Sequence, residues 1–519
     1  MCRNRTAAVV RAGIFATLVL GLHGAAASVE TNDSTATAGI LSRPVRTPVQ
    51  QSQQRWQIAR VGLQARGDRW RLLDANGLPA ERYSIFNPYH QNPLKGDFPI
   101  LGQNTFMVFT AAGNPTSVFS NQKNAETEFK NKLVTALEFF HGLTVFRPKD
   151  WSLKASAQGV YNRGNNKDLD DIALLELFGE AKLFDVGRTY DFTSVRAGLQ
   201  PFTSDFNGFV FKDVNLGAQL FGELSQNRYR WALAYFDQRV KSEGGGLTFD
   251  PQQQQVYVAN WLHEDFLKLG FNTVFSFHYN RDRAVANNNL NVYYVGLASD
   301  GHWGRIEFNP AFYFAFGEEA ANPIAQRRTT VSAYFAGTEL AYQRDYLKYR
   351  GAYFVASGDS DPQDDRATGF DSIIDNVNLF GGANSFVIAN GVFFTRANSF
   401  LPANRKQGIS NFVNPGVRLV NFGVDVVFTP KLFVETNYNH FEFLDTSSLP
   451  PVSGDAGANR LSTALGHEIN AALKYRLFLN ENFVVQIGGS AFIPQEGGRQ
   501  LLGDDGVVYT GNVALVTVF

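Results

Sequence analysis

The chain has 519 residues, with 47 Lys and Arg against 48 Asp and Glu and a formal charge of −1, so it lacks the basic excess that a nucleic-acid partner requires. Its one cysteine, Cys2, excludes a disulfide framework and thiolate metal sites in all that follows. It carries 46 Phe and 19 Tyr, yet no stretch after the first thirty residues reaches the roughly 20 continuous apolar residues of a spanning helix, which leaves a soluble β-rich chain or a membrane β-barrel.

Arg3, Arg5 and Arg11, an apolar run from Ala12 to Leu22 and the small residues Ala25, Ala26 and Ala27 together read as a secretory signal peptide over 1–27, cut before Ser28. Without it the chain holds 44 basic and 48 acidic residues. Residues 28–102 read as an N-terminal lead-in: Ser, Thr, Ala and Gln dominate to about Gln54, and turn signals follow at Asp74–Gly77 and Asn87–Pro99. This region is expected to be a periplasmic segment or one inserted into a lumen as a plug.

From residue 103 to Phe519 the sequence alternates with period two, the repeat with which strand side chains change face. Ile306, Phe308, Phe312, Phe314 and Phe316 oppose Arg305, Glu307 and Asn309; Trp151, Leu153, Ala155 and Ala157 oppose Lys154, Ser156 and Gln158. The same pattern sets Leu233 and Tyr235 against Arg228 and Arg230, Phe275 and Phe277 against Ser276 and His278, Tyr349 and Tyr353 against Lys348 and Arg350. It returns as Val434 and Tyr438 against Glu435 and Asn437, and as Ile469 and Tyr475 against Glu468, Lys474 and Arg476. About 16–18 such segments predict an all-β fold, a transmembrane antiparallel β-barrel with its apolar face on lipid and its polar face on a lumen. Short turns such as Thr429–Lys431 contrast with long polar connections at 238–254, 358–385, 396–415 and 445–462, as short periplasmic turns and long extracellular loops would. The last strand, Val508–Phe519, ends on an aromatic residue; Phe519 resembles the terminal signal that barrel-assembly machinery recognises. The alternative architecture is a secreted all-β sandwich.

The polar faces indicate what such a lumen would meet. Candidate pore-lining residues are Arg196, Arg228, Arg230, Arg305, Glu307, Lys348, Arg350, Glu435, Lys474 and Arg476, with Lys154 and Glu468 beside them. The set is mainly basic, which predicts enrichment of anionic solutes unless carboxylates elsewhere pair with these cations. Ser204–Gly217, with Asp205, Phe206, Phe209, Phe211 and Asp213, is too aromatic for a solvated loop and is either folded inward to narrow a channel or a β-bulge region. Asp359, Asp361, Asp364 and Asp365, followed by Asp371 and Asp375, are dense enough in carboxylate to offer a calcium site, although Asp364 stands where an EF-hand loop has its glycine. Catalysis is not indicated: His467–Glu468 starts no HExxH because Ala471 occupies the second histidine position, and no nucleophile elbow or phosphate-binding glycine loop occurs. No other cofactor is implied.

The barrel portion resembles bacterial outer-membrane porins. Asp191–Gly222, with Val195, Arg196, Gly198, Gln200, Pro201, Phe202, Asp205, Gly208, Asn215, Leu216 and Gly217, and Gly466–Pro494, with Glu468, Tyr475, Asn482, Gly488 and Phe492, are similar to the alginate-export type of barrel. The resemblance implies a Gram-negative outer-membrane channel conducting small or polymeric anionic solutes through an arginine-lined lumen. The other function class open at this point is a barrel that sheathes a periplasmic partner such as a multihaem cytochrome.

Overall fold

The alternating segments of the computed structural model are extended, because β-branched and aromatic residues at every second position suit a pleated surface with one apolar face. The structure describes residues 92–519 apart from 122–126, 143–147, 165–167, 188–189, 243, 285–288, 323, 375–376, 378, 383, 390–410, 450–459 and 479–481. The expected leader, the lead-in as far as residue 91, and Asp375 lie outside the described residues. In chain order the strands are β1 (Thr105–Gly113), β2 (Thr116–Ser120), β3 (Glu128–His141), β4 (Trp151–Arg163), β5 (Leu169–Asp185), β6 (Phe192–Thr203) and β7 (Lys212–Leu224). There follow β8 (Tyr229–Lys241), β9 (Leu247–His263), β10 (Phe271–Asp282), β11 (Leu290–Trp303), β12 (Ile306–Glu319), β13 (Thr329–Arg344) and β14 (Leu347–Ala356). The last are β15 (Arg366–Ala367), β16 (Val417–Thr429), β17 (Leu432–Phe443), β18 (Ala464–Arg476), β19 (Phe483–Pro494) and β20 (Val508–Val518).

Sequential antiparallel pairing carries the sheet round until β20 meets β1 and β2, closing the wall. β1 and β2 both pair with β3 and are two halves of one wall strand, broken at Asn114–Pro115, where proline cannot donate to the ladder. β15 is a two-residue piece running parallel to β13 at Thr330–Val331, beyond the end of β14. The wall therefore has 18 strands. An even number brings both ends of the barrel to the same rim, that of the short turns, where Phe519 exchanges hydrogen bonds with Ala111.

On β12, Phe312, Phe314 and Phe316 point out of the barrel at 47%, 38% and 38% exposure, while Tyr313 and Ala315 between them are fully buried within it. Outward Trp151, Trp261, Trp303 and Tyr349 lie near the short-turn rim; Tyr161, Tyr257, Tyr293 and Phe316 lie nearer the other, and leucines, valines and phenylalanines fill the band between. The apolar face is as the alternation predicts. The opposite face departs from it. It is polar over the half nearest the short turns; nearer the long connections Phe236, Val256, Tyr294, Tyr313, Phe335, Phe354 and Phe441 turn inward and join a buried apolar cluster, with buried Gln238, Gln254, Asn280 and Glu319 among them.

Candidate functional site

That apolar half exists because two connections fold into the barrel and bring their own hydrophobic side chains. The first is Ser204–Phe211, between β6 and β7, which takes the inward alternative of the two read from its sequence. Its knot is Asp205. One carboxylate oxygen accepts the backbone N–H groups of Asn207 and Gly208, and the other accepts Phe209 N–H at 3.1 Å and the Tyr313 hydroxyl at 2.9 Å. Gly208 sits at φ +78°, and a Cβ there would lie 2.4 Å from the Lys212 side chain, so the turn requires glycine. The knot presents Phe209 to Phe335 at 4.8 Å and Phe354 at 5.7 Å between ring centroids, and Phe211 to Phe236 at 5.4 Å.

The second is the connection between β14 and β16, described over 357–374, 377, 379–382, 384–389 and 411–416. It is zipped to the first: Ile373 and Ile374 donate N–H to the Val210 carbonyl, and the Ser372 hydroxyl donates to the Phe209 carbonyl at 2.6 Å. Its deepest point is Phe380, whose N–H donates to Glu339 at 2.7 Å and whose ring lies 5.1 Å from the Arg350 guanidinium and 5.5 Å from Lys348. Glu339 also accepts from the Asn207 side chain at 3.3 Å, so one buried wall carboxylate on β13 holds both loops. The chain then enters a short helix, α1 (Phe386–Ala389). Ser385 Oγ accepts the Ile388 N–H, while Glu468 on β18 accepts the Ser385 hydroxyl and the Phe386 N–H. Inward asparagines fasten the same segment: Asn439 and Asn470 donate to the Gly381 carbonyl at 2.9 and 3.2 Å, and Asn512 donates to Asn384 at 2.8 Å.

Below the loops the lumen wall is charged, and most of the candidate cations there are paired. Lys154 meets Glu176 at 2.6 Å, Arg196 meets Glu180 at 2.6 Å, and Arg230 meets Glu264 at 2.7 Å and Glu223 at 3.4 Å. Lys348 meets Glu307 at 2.6 Å, and Arg350 meets Asp425 at 2.6 Å and Glu435 at 3.3 Å. The basic bias read from the sequence is thus largely offset by carboxylates of neighbouring strands: Glu307 and Glu435, which the sequence already placed on the polar faces, and Glu176, Glu180, Glu223, Glu264 and Asp425, which it did not. Register was the missing signal, since Arg196 stands directly across from Glu180 and Arg230 across from Glu223. Arg228 and Arg305 lie in exposed short turns at the rim rather than on the wall, and Arg476 is exposed at the end of β18. Lys474 faces inward beside the Phe433 ring at 5.7 Å. A cleft of about 620 Å³ at the same rim, lined by Asn272, Asp300, Glu307 and Gln343 with Arg305, carries more acid than base.

The acidic stretch does not gather into a cage. Asp359 accepts Asp361 N–H, Asp361 accepts Gln363 N–H, and Asp364 accepts Arg366 N–H, so each carboxylate closes its own turn, while Asp365 is exposed. Among the described residues no three carboxylate or histidine side chains converge as metal ligands. Burial, with Asp364 and Asp361 adding to it, pushes the Asp359 carboxyl up to about 6.

No protein-family model matches the chain, and no curated protein matches it. Among solved structures it is similar to Pseudomonas aeruginosa OccK3 (OpdO), at TM-score 0.47 and 13% identity over 80% of this chain and 95% of that one. It is similar in the same degree to OccK2 (OpdF) of that organism, solved in complex with glucuronate, at TM-score 0.47 and 10% identity over 80% and 96% of the two chains. A third is OccK8 (OprE), at TM-score 0.47 and 11% identity over 80% and 98%. Identities this low carry no residue from those chains to this one.

Proposed function

We propose that the chain is a channel, not an enzyme, in the outer membrane of a Gram-negative bacterium, passing small polar solutes through a lumen narrowed by its own loops. The observation that carries the reading is the closed 18-strand wall with an apolar outer band around an interior of hydrogen-bonded loops and ion pairs. An outward apolar band is stable only against lipid, and a charged, inward ladder only against water. The pairing favours small solutes with weak charge preference over the anionic polymer that the alginate-export resemblance implies. A polymer conduit or a sheath around a cytochrome needs an open bore, whereas Phe209, Ile373, Phe380 and Phe412 occupy this one.

In planar bilayers, the purified chain is expected to give discrete conductance steps with a reversal potential near zero in a salt gradient. Strong anion selectivity would restore the basic-lumen reading; a silent bilayer would remove the channel reading altogether. The lipid-facing assignment has its own check. Phe312→Arg, at the middle of β12 on the outer face, is expected to cost about 2–4 kcal/mol in reversible refolding into lipid vesicles, because it places a guanidinium in hydrocarbon. No loss of stability would mean that this face does not meet lipid.

A further inference from the structure

The outer face of β6–β10 is grooved. A groove of about 470 Å³ runs there, with Ala218 and Ala259 as its floor and Leu220, Leu233, Tyr257 and Phe277 as its sides. The register places these side chains together: Leu220 opposes Leu233, Leu233 opposes Ala259, and Ala259 opposes Phe277. Small residues at the floor and larger ones at the flanks make a groove that an acyl chain could follow.

Towards the long-connection rim the groove ends at a row of tyrosines. Tyr235, Tyr257, Tyr279 and Tyr293 follow one another with ring centroids 5.0, 5.7 and 4.8 Å apart. Tyrosine in such a row marks the boundary between hydrocarbon and headgroups. Directly beyond it, on the same outward face, stand Asp237, Gln255 and Arg281 in register, with Arg239 bonded to Asp237 and to the Phe249 carbonyl. The Arg281 side chain donates to the Gln255 side chain at 3.3 Å, its one side-chain hydrogen bond among the described residues, and Arg283 beyond it is exposed. Asp237 is engaged by Arg239, and Glu318, the next outward acid along the ladder, is engaged by Arg328. The patch is left with two guanidinium groups that no acid of the described wall neutralises.

We propose that this sector binds one membrane lipid of net negative charge, with an acyl chain in the groove and its phosphate, uncompensated by any headgroup cation, held by Arg281 and Arg283. The site rests on the membrane-barrel reading and deepens it, since it needs the groove to lie in hydrocarbon and the arginines at headgroup level. Guanidinium suits the role: it offers planar pairs of donors that match phosphate oxygens, and it stays charged at the interface.

The test is native mass spectrometry of the full chain in detergent, titrated with phosphatidylglycerol and with phosphatidylcholine of identical acyl chains. Phosphatidylglycerol is expected to bind about tenfold more tightly, the effect of one charge-assisted contact. Arg281→Gln together with Arg283→Gln is expected to abolish that preference while leaving phosphatidylcholine unchanged, and Ala218→Trp, which fills the groove, to weaken both lipids. Equal binding of the two lipids by the native chain, or a preference that survives the double substitution, overturns the site. Displacement of phosphatidylglycerol by inorganic phosphate alone would make the arginines a free-anion site and also overturn it. Failure of the native chain to insert into lipid vesicles at all would instead defeat the barrel reading, and the site with it.

Discussion

Replacing Asp205 by alanine is expected to raise single-channel conductance and add fast noise to the open level, while the barrel itself stays folded. The carboxylate serves four donors: the N–H groups of Asn207, Gly208 and Phe209 and the hydroxyl of Tyr313. Each donor stranded in a buried site costs about 1–3 kcal/mol, so even with partial relaxation the inward conformation loses about 4 kcal/mol. Phe209 and Phe211, held between wall aromatics, oppose release, each worth about 1.5–3 kcal/mol of burial. The two are comparable, which predicts exchange between inward and released loop rather than a fixed open state. Wall ladders are untouched because none uses the Asp205 side chain. Asp205→Asn keeps a carbonyl oxygen to accept the backbone N–H groups and is expected to restore most of the quiet, native level. Limited proteolysis should cut near Asn207 in the alanine variant and spare the asparagine one. Native amplitude and noise in Asp205→Ala would show that this carboxylate does not hold the constriction.

The wall was legible in the sequence and the filling was not, for a physical reason. An apolar outer face and a pleated backbone impose period two on every strand, so Phe312, Phe314 and Phe316 can be assigned a face from spacing alone. The inner face obeys no such uniform solvent. Tyr313 and Ala315 read as breaks in a polar face until Ser204–Phe211 is seen to pack on them. The aromatic density of that segment was a usable sign, and the choice between folding inward and bulging depended on partners more than a hundred residues away. Glu339 could have been suspected from its position as the one acid in the sixteen-residue run of β13, buried at 4% exposure with two loops tied to it. The charges of the inner face were illegible for another reason. Arg196 and Arg350 stand on the inner face, and the sign of that wall depends on cross-strand register, which no periodicity within one strand contains.

Arg350 carries the second large effect. It is buried at 3% side-chain exposure, sends Nε and Nη2 to one oxygen of Asp425 at 2.9 and 2.6 Å, and reaches Glu435 at 3.3 Å. Asp425 and Glu435 are direct partners across β16 and β17, so the guanidinium is what allows two carboxylates to face each other. Arg350→Ala is expected to turn the channel cation-selective, read as a shift of reversal potential towards the cation equilibrium value in a tenfold salt gradient. Removing one member of a buried pair costs about 3–5 kcal/mol where no substitute charge arrives, and here a permeating cation can take the vacated position. The same substitution withdraws the cation under Phe380, so the loop tip should loosen and conductance rise together with selectivity. Adding Asp425→Asn to Arg350→Ala removes the uncompensated charge without restoring the support of Phe380. The double variant is therefore expected to return to the native reversal potential while keeping the raised conductance, a separation that neither single substitution gives. If Arg350→Ala leaves the reversal potential unchanged, the conducting path does not pass between β14, β16 and β17, and the ion-pair wall is a structural brace rather than the lining of the pore.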